Sequence, residues 1–265
     1  MSRNNIFVTS YSFASRPIEL FSNGMSIGSA TCFFVGLTGG SYALLTNWHV
    51  LSGRNPYTGQ ARHFSGATPD MARGLFCKKG NLAEFLNFDF SLLKEDGQPA
   101  WFQHSAGQKY DIAFMLVPPD APFDIFPAIR SDETPNLRCT PGRDVFIIGY
   151  PLGVTKQPGL PIWKRGSIAS EPELEADQLP IILVDSSTRE GMSGSPVIAQ
   201  AIDGALLDNG DTVVGSGPYV RFIGMYSGRY GTDVDDKLSV GRVWKREVLE
   251  EMVRTLTPGN YILSK

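Results

Sequence analysis

Three short segments of the sequence carry side chains whose chemistry could combine in acyl transfer. Ser193 lies in a Gly-rich turn, GMSGSPV, His49 lies in TNWHV, and Asp111 opens the apolar run DIAFMLV. A serine nucleophile needs a neighbouring base and backbone N–H groups that face the developing oxyanion. Gly191 and Gly194 flank the serine and permit the tight backbone that presents such groups, because glycine adopts positive φ angles at little cost.

Each of these segments also has a purely structural interpretation. A Gly-Ser turn often only connects two strands, a lone histidine in an apolar segment is commonly a hydrogen-bonded structural residue, and an aspartate before a strand can be a cap. Taken together, however, Ser193, His49 and Asp111 supply a nucleophile, a base and a carboxylate that can hold the imidazole in one tautomer. Asp89 and Asp124 also lie among apolar residues, but neither opens a long apolar strand as Asp111 does.

The elements that must position these residues are predicted to be strands, so the chain is expected to be all-β. Most apolar segments are short, rich in Val, Ile, Phe and Tyr, and bounded by Gly, Pro, Asn or Asp, which is typical of strands. His49 is expected to end one such strand. The segment with helical periodicity is 243–256, which Pro258-Gly259 closes. The irregular stretch 52–110 predicts a hairpin pair and exposed loops that carry His63 and His104.

The composition of the 265 residues excludes several classes of protein. A formal net charge of −3 without a block of like charge argues against nucleic-acid binding. No apolar run is long enough to span a membrane and no secretory signal is recognisable, so a cytoplasmic protein without membrane contact is expected. Cys32, Cys77 and Cys139 are far apart in sequence and outside any CxxC pattern. Free buried thiols are therefore favoured over a zinc site, unless the fold brings these residues together, and no metal or cofactor is expected.

The order His, Asp, Ser on an all-β chain is the order of the chymotrypsin-type barrels. On TNWHV, DIAFMLV and GMSGSPV the sequence resembles the trypsin/chymotrypsin-like serine peptidases, and GMSGSP is most similar to their bacterial glutamyl-endopeptidase and Htr-like branches, here without a PDZ-like segment. The resemblance implies a general base at His49, its orienting carboxylate at Asp111 and the nucleophile at Ser193. It also implies an oxyanion hole formed by the backbone N–H groups of Gly191 and Ser193.

The resemblance further implies a double six-stranded β-barrel with a C-terminal α-helix and a site in the cleft between the barrels. Residues 1–265 would form a single peptidase domain. Its N-terminal barrel would lie at about 20–130, its C-terminal barrel at 135–240 and its helix at 243–256.

The sequence departs from the secreted members of this family at two positions beside the site. Met192 stands where digestive members carry an aspartate that pairs with a new amino terminus, so activation by terminal cleavage is not expected. Cys32 stands where secreted relatives place half of a disulfide, but Val50 follows the histidine where the partner would be. The site must then be held by packing, which agrees with a reducing compartment.

Specificity is less clearly encoded in the sequence. The family resemblance places the base of the primary pocket at Ser187, which is not an acid, so selection for Lys or Arg side chains is not expected. Tyr226 stands at about the position of a histidine in glutamate-selective relatives, and Arg189 or Arg229 could replace that histidine or be exposed arginines. The tentative pocket residues are Ser187, Thr188, Arg189, Tyr226, Ser227 and Gly228.

Two functions from different classes follow from the sequence. The first is a serine endopeptidase that hydrolyses polypeptides through an acyl-enzyme. The second is a catalytically silent module of the same fold that binds an extended peptide in its cleft. An esterase would use the same chemistry, but no sequence feature selects it, and the sequence does not indicate an oligomeric state.

Overall fold

Short segments rich in Val, Ile, Phe and Tyr form most of the regular structure. The computed structural model describes residues 8–130, 133–134, 136–153, 159–215, 217–230 and 239–260. The strands of the first half are β1 (Ser15–Ser22), β2 (Met25–Gly36), β3 (Tyr42–Thr46), β4 (Met71–Lys78), β5 (Asn81–Ser91), β6 (Phe102–Gln103) and β7 (Ala113–Leu116). The later strands are β8 (Asp144–Gly149), β9 (Ile162–Ile168), β10 (Ile181–Asp185), β11 (Pro196–Ala201), β12 (Gly204–Leu206), β13 (Thr212–Val214), β14 (Tyr219–Arg229), β15 (Val240–Lys245) and β16 (Thr257–Pro258). The α-helices are α1 (Ser10–Ala14), α2 (Trp48–Ser52) and α3 (Arg246–Thr255).

The seven strands of the first half form one antiparallel sheet of eight strands together with β16, which follows α3 in the chain, in the order β16-β6-β7-β3-β2-β1-β4-β5. Its interior is filled by apolar side chains from β1 to β5, β7 and α2. Phe34, Phe76 and Phe123 form its aromatic centre, where the Phe76 and Phe123 rings stack with their centroids 4.2 Å apart. This core supports the strand β3 and the helix α2, which carries His49.

The second half is a closed antiparallel barrel of six strands in the order β10-β15-β14-β11-β8-β9. Side chains such as Val145, Ile147, Val184 and Val197 fill it. A further apolar cluster joins the two halves and includes residues of β2, β3, β7, β8, β11, β14 and α3. In it, the Phe33 ring of the first half lies 5.6 Å from the Phe222 ring of the barrel, measured between centroids. The two halves therefore share a buried interface.

The prediction of a mostly β fold with a closed six-stranded barrel and a C-terminal helix is confirmed. The first half differs in detail, because the short strands β6 and β16 extend its sheet to eight strands. The helix is shorter than predicted. It begins at Arg246, since Val243 still belongs to β15 and pairs with Ile182 and Tyr226, and it ends at Thr255, before left-handed Leu256.

The strand limits also differ by a few residues from the predicted ranges. The first sheet already begins at Ser15 rather than near residue 20, and the barrel extends to Lys245 rather than to 240. The irregular stretch contains the predicted hairpin, formed by β4 and β5. In the described ranges, no helix is long and apolar enough to cross a membrane.

Candidate active site

His49 and Asp111 are brought together by two neighbouring strands. β3 pairs with β7, with Thr46 opposite Ala113, so the residues that follow β3 and precede β7 lie at the same end of the sheet. The chain turns after Thr46 into α2. His49 is therefore a helical residue, and the prediction that it ends a strand was wrong. The His49 Nδ1 atom lies 2.7 Å from Asp111 Oδ2, and the His49 backbone N–H donates to Asp111 Oδ1 at 2.8 Å.

Two further hydrogen bonds hold Asp111 in place. Ser227 Oγ donates to Asp111 Oδ2 at 2.6 Å, and Asn47 Nδ2 donates to the Asp111 backbone oxygen at 2.8 Å. Both oxygens of the carboxylate thus accept hydrogen bonds from fixed donors. Because an ionised carboxylate only accepts, the His49 proton belongs on Nδ1, and Nε2 is left as the basic nitrogen.

The pKa values of the pair favour a neutral imidazole beside an ionised carboxylate. Burial lowers the pKa of His49 below its ordinary value of 6.5, and it outweighs the opposing effect of the Asp111 charge. Burial by itself raises the pKa of the Asp111 carboxyl, but the interactions with His49 and Ser227 outweigh it and hold this pKa below 3.8. A neutral imidazole is the form that can accept a proton.

Ser193 lies in the turn between β10 and β11, and glycine is required on both of its sides. Gly191 and Gly194 have φ angles of 87° and 83°. A Cβ atom on Gly191 would lie 2.4 Å from the Tyr150 carbonyl oxygen, and one on Gly194 would lie 2.1 Å from the Thr31 carbonyl oxygen. The turn therefore depends on both the positive φ angles and the missing side chains.

Three hydrogen bonds with two elements fix this turn. Thr31 donates twice, from Oγ1 to the Gly191 oxygen at 2.8 Å and from its backbone N–H to the Ser193 oxygen at 2.9 Å. The Gly194 N–H donates to the Tyr226 oxygen at 2.9 Å. These bonds tie the turn to β2 of the first half and to β14 of the barrel.

The turn also presents two backbone donors. The Leu152 N–H donates to the Glu190 oxygen at 2.7 Å, and since the N–H and C=O of a trans peptide point in opposite directions, the Gly191 N–H points away from Leu152. Within the described residues, neither this N–H nor that of Ser193 has a hydrogen-bond acceptor. Such a pair of donors can stabilise an oxyanion.

A cavity of about 530 Å³ lies beside these residues and is lined by His49, Gly191 and Ser193 among others. Its volume is in the range of small-molecule and side-chain binding sites. No hydrogen bond joins His49 to Ser193 in the described part of the chain. In catalytic sites such a bond often tightens only when substrate binds.

The tentative pocket residues do not all face solvent. Thr188, Tyr226 and Ser227 are buried, whereas Ser187 and Arg189 are exposed and Gly228 is half-buried. The Tyr226 hydroxyl and Thr188 Oγ1 form a hydrogen bond between the two segments. Arg189 and Arg229 both donate to the Thr188 carbonyl oxygen, at 3.3 and 3.1 Å.

The residues at the two departures beside the site are held by packing. Cys32 and Val50 are both buried in the core of the first half, and Met192 is buried in the core of the barrel. The three cysteines are free thiols, but only Cys32 and Cys77 are buried, so the prediction was wrong for the half-buried Cys139.

The alternative acids and the other histidines lie elsewhere. Asp89 forms an ion pair with Arg73, and Asp124 accepts from the Gly80 N–H, so neither contacts His49. His63 lies in a loop and lines the cavity. His104 is also in a loop, which agrees with the prediction of a surface or loop residue, and it is buried against Tyr110.

Sequence reasoning placed Ser227 in the substrate pocket and missed its bond to Asp111. It also missed Thr31, Asn47 and Leu152, which hold the Ser193 turn and the carboxylate. No local signal marks these residues, because their partners are distant in sequence.

The comparisons with known proteins agree with this architecture. The model of the family described as trypsin-like peptidase domain matches residues 30–207, a range that includes His49, Asp111 and Ser193. Among solved structures, the active form of the Rv3671c protease from M. tuberculosis is 13% identical with a TM-score of 0.50, covering 96% of this chain and 85% of that one. An inactive mutant form of it is 15% identical with a TM-score of 0.50, covering 93% and 88%.

A structure described as Deg5 is 14% identical with a TM-score of 0.50 and covers 91% of this chain and 87% of its own. No curated protein matches the chain. At such low identities these structures establish the fold alone, whereas the family model spans most of the sequence. The predicted resemblance to trypsin-like serine peptidases is confirmed, and the chain belongs to the trypsin-like peptidase domain family.

Proposed function

We propose that the protein is a serine endopeptidase that uses His49, Asp111 and Ser193 as a catalytic triad. The observation that carries this proposal is the buried Asp111 carboxylate, which bonds both the Nδ1 atom and the backbone N–H of His49, in a site where Ser193 lines the same cavity. This arrangement supplies a base whose tautomer is fixed and a hydroxyl within the same cleft.

The proposed reaction proceeds in two halves. His49 Nε2 accepts the Ser193 Oγ proton while Oγ attacks the substrate carbonyl, and the Gly191 and Ser193 N–H groups stabilise the oxyanion. The imidazolium then donates its proton to the leaving amine as the C–N bond breaks, which leaves an acyl-enzyme. In the second half, His49 Nε2 accepts a proton from water while the water oxygen attacks the acyl carbon. The imidazolium then returns this proton to Ser193 Oγ as the ester C–O bond breaks, which releases the acid and restores the serine.

The barrel offers a backbone edge on which an extended polypeptide can be held. β14 pairs with β11 up to Met225, which lies opposite Pro196, and beyond it β14 continues to Arg229. On that side, Ser227 and Gly228 have no strand partner among the described residues. A peptide added as a strand to this edge would lead directly to Ser193.

The same edge is the observation that favours the second candidate, a module that binds peptides without cleaving them. Labelling with a fluorophosphonate probe separates the two. The wild type should react at Ser193, and Ser193→Ala should not, with Ser195→Ala as the matched control that keeps the reactive serine. A folded wild type that stays unlabelled but binds peptides would replace the endopeptidase by the silent module.

We further propose that the protein works in the reducing cytoplasm. Its three cysteines are free thiols, and the position beside His49 that would complete a disulfide is the buried Val50. Activity should therefore be unchanged by millimolar dithiothreitol, and a loss of activity on reduction would contradict this assignment.

A further inference from the structure

The two sides of Ser193 differ in the space that they leave for a substrate side chain. On the barrel side, Tyr226 is only 1% exposed, its ring is part of the barrel core, and its hydroxyl bonds to the buried Thr188. A Cβ atom on Gly241 would lie 2.4 Å from the Tyr226 ring, so the ring is also enclosed from the β15 side. The Tyr226 side chain thus extends through the interior from β14 to Thr188 and fills the space between these two segments.

On the opposite side, the cavity of about 530 Å³ opens beside His49 and Ser193. Its walls include Leu20, Ile27 and Val50 of the first half. β14 contributes none of the residues that line it. In the proposed reaction His49 gives its proton to the leaving amine, so the leaving-group half of the substrate lies on the side of His49 and of this cavity.

Two exposed apolar side chains border this cavity. Phe64, from the loop between α2 and β4, is 96% exposed, and Leu152, from the segment after β8, is 63% exposed. They come from different halves of the molecule. Binding of a ligand that covers a large exposed apolar side chain is favourable, because apolar surface is removed from water. Arg62 and Glu190 also line the cavity and carry one charge of each sign, so no net charge there favours an acidic or a basic ligand.

We propose that this cavity binds an apolar side chain from the leaving-group half of the polypeptide, against Phe64 and Leu152, and that this contact is the main determinant of cleavage specificity. The inference rests on the proposed endopeptidase function and adds its substrate class. On the acyl side, where Tyr226 fills the interior among the described residues, the preference for a side chain is expected to be weaker.

The test uses the full chain and internally quenched peptides in which either the acyl side or the leaving-group side of the scissile bond is randomised. Sequencing of the products should show enrichment of Phe, Leu, Ile and Met within the first two residues after the cut. It should show a weaker preference before the cut. A sharp preference before the cut together with no preference after it would overturn the inference.

Phe64→Ala gives a second readout that does not risk the fold, because the side chain is exposed. Its kcat/KM on the preferred peptide should fall about tenfold, since part of the apolar contact is lost. Leu174→Ala is the matched control, because Leu174 is 65% exposed and does not line the cavity. Hydrolysis of an activated acyl ester, which has no residue on the leaving-group side, should be the same for both variants and the wild type.

The outcomes separate the two proposals. If the wild type neither labels at Ser193 nor cleaves any peptide, the endopeptidase function fails. If it labels and cleaves but Phe64→Ala behaves like Leu174→Ala, only the cavity inference fails. If Phe64→Ala slows the acyl ester as much as the peptide, the side chain affects the catalytic residues and not the leaving-group contact, which also overturns the inference.

Discussion

The His49 side and the Ser193 side of the candidate site are held in place by opposite means. On the His49 side, the position of the imidazole depends on a side chain, the Asp111 carboxylate, which His49 and Ser227 contact directly. On the Ser193 side, the turn depends on the absence of side chains at Gly191 and Gly194, on backbone bonds and on one bond from the Thr31 hydroxyl. The first side should therefore be sensitive to the removal of polar atoms and the second to the addition of carbon atoms.

The strongest disruption of the His49 side is Asp111→Asn. The amide is neutral and can donate to Nδ1, which would place the histidine proton on Nε2 and remove the base. We expect kcat/KM on a peptide substrate to fall by about 10⁴-fold. Asp124→Asn is the matched control, because the Asp124 carboxylate accepts from the loop N–H of Gly80 and does not contact His49, so this variant should keep its activity. A loss of less than about 100-fold for Asp111→Asn would mean that His49 does not depend on this carboxylate.

The corresponding disruption of the Ser193 side is Gly191→Ala. The new Cβ would meet the Tyr150 oxygen and the Leu152 nitrogen at 2.4 and 2.8 Å, so the turn must shift and the Gly191 N–H must move. Loss of one oxyanion donor lowers kcat by about 10²- to 10³-fold, and we expect a similar decrease with little change in KM.

The control for this variant is Gly210→Ala. Gly210 also has a positive φ angle, 90°, but nothing lies within 4 Å of its missing Cβ. It therefore carries the same backbone strain without the clash. If Gly210→Ala reduced kcat as much as Gly191→Ala, the effect would be a general loss of folded protein, which thermal unfolding of both variants would reveal.

Features marked by a local motif could be predicted from the sequence, whereas contacts between distant residues without such a motif could not. The contact of His49 with Asp111, and the position of Ser193 at the same cavity, could be predicted because each residue lies in a local motif whose order along the chain is informative. The bond from Ser227 to Asp111 could not, because it joins residues 116 positions apart across the two halves. Burial is equally non-local, so the sequence did not indicate that Tyr226 packs inside the barrel. The fold class could be predicted because strand patterns repeat, whereas β16 and the helical position of His49 depend on tertiary packing.

A smaller effect on the His49 side is expected from Ser227→Ala. It removes one hydrogen bond to Asp111 Oδ2 but leaves those from His49, and a bond to a charged group contributes about 1.5–3 kcal/mol. We expect kcat to fall about tenfold, because the carboxylate is less well oriented. Ser186→Ala is the control, since Ser186 is equally buried and its hydroxyl donates to the Arg165 backbone oxygen instead. Equal activity of the two variants would show that Asp111 does not need Ser227.

The smallest expected effect is a displacement of the pH profile. Burial lowers the pKa of His49, the charge and hydrogen bond of Asp111 oppose this, and the positive charges of Arg62 and Arg242 lower it further. His49 must be neutral to act as a base, so activity is lost as the pH falls through this lowered pKa. The acid limb of kcat/KM should therefore lie below pH 6.5, the ordinary value for histidine.

Removing a positive charge stabilises the imidazolium, so Arg242→Gln should raise the pKa of His49 and move the acid limb upward by a few tenths of a pH unit, on the order of the interaction between partly solvated charges. Arg242 also bonds to Tyr57 and to the Arg229 oxygen, and the substitution by glutamine alters those contacts too. Arg242→Lys separates the two causes, because it changes the contacts but keeps the charge. If the limb moves for glutamine and not for lysine, the charge of Arg242 sets part of the His49 pKa. If it moves equally for both, the contacts of Arg242 with Tyr57 and with the Arg229 oxygen govern the position of the limb, and the electrostatic explanation is wrong.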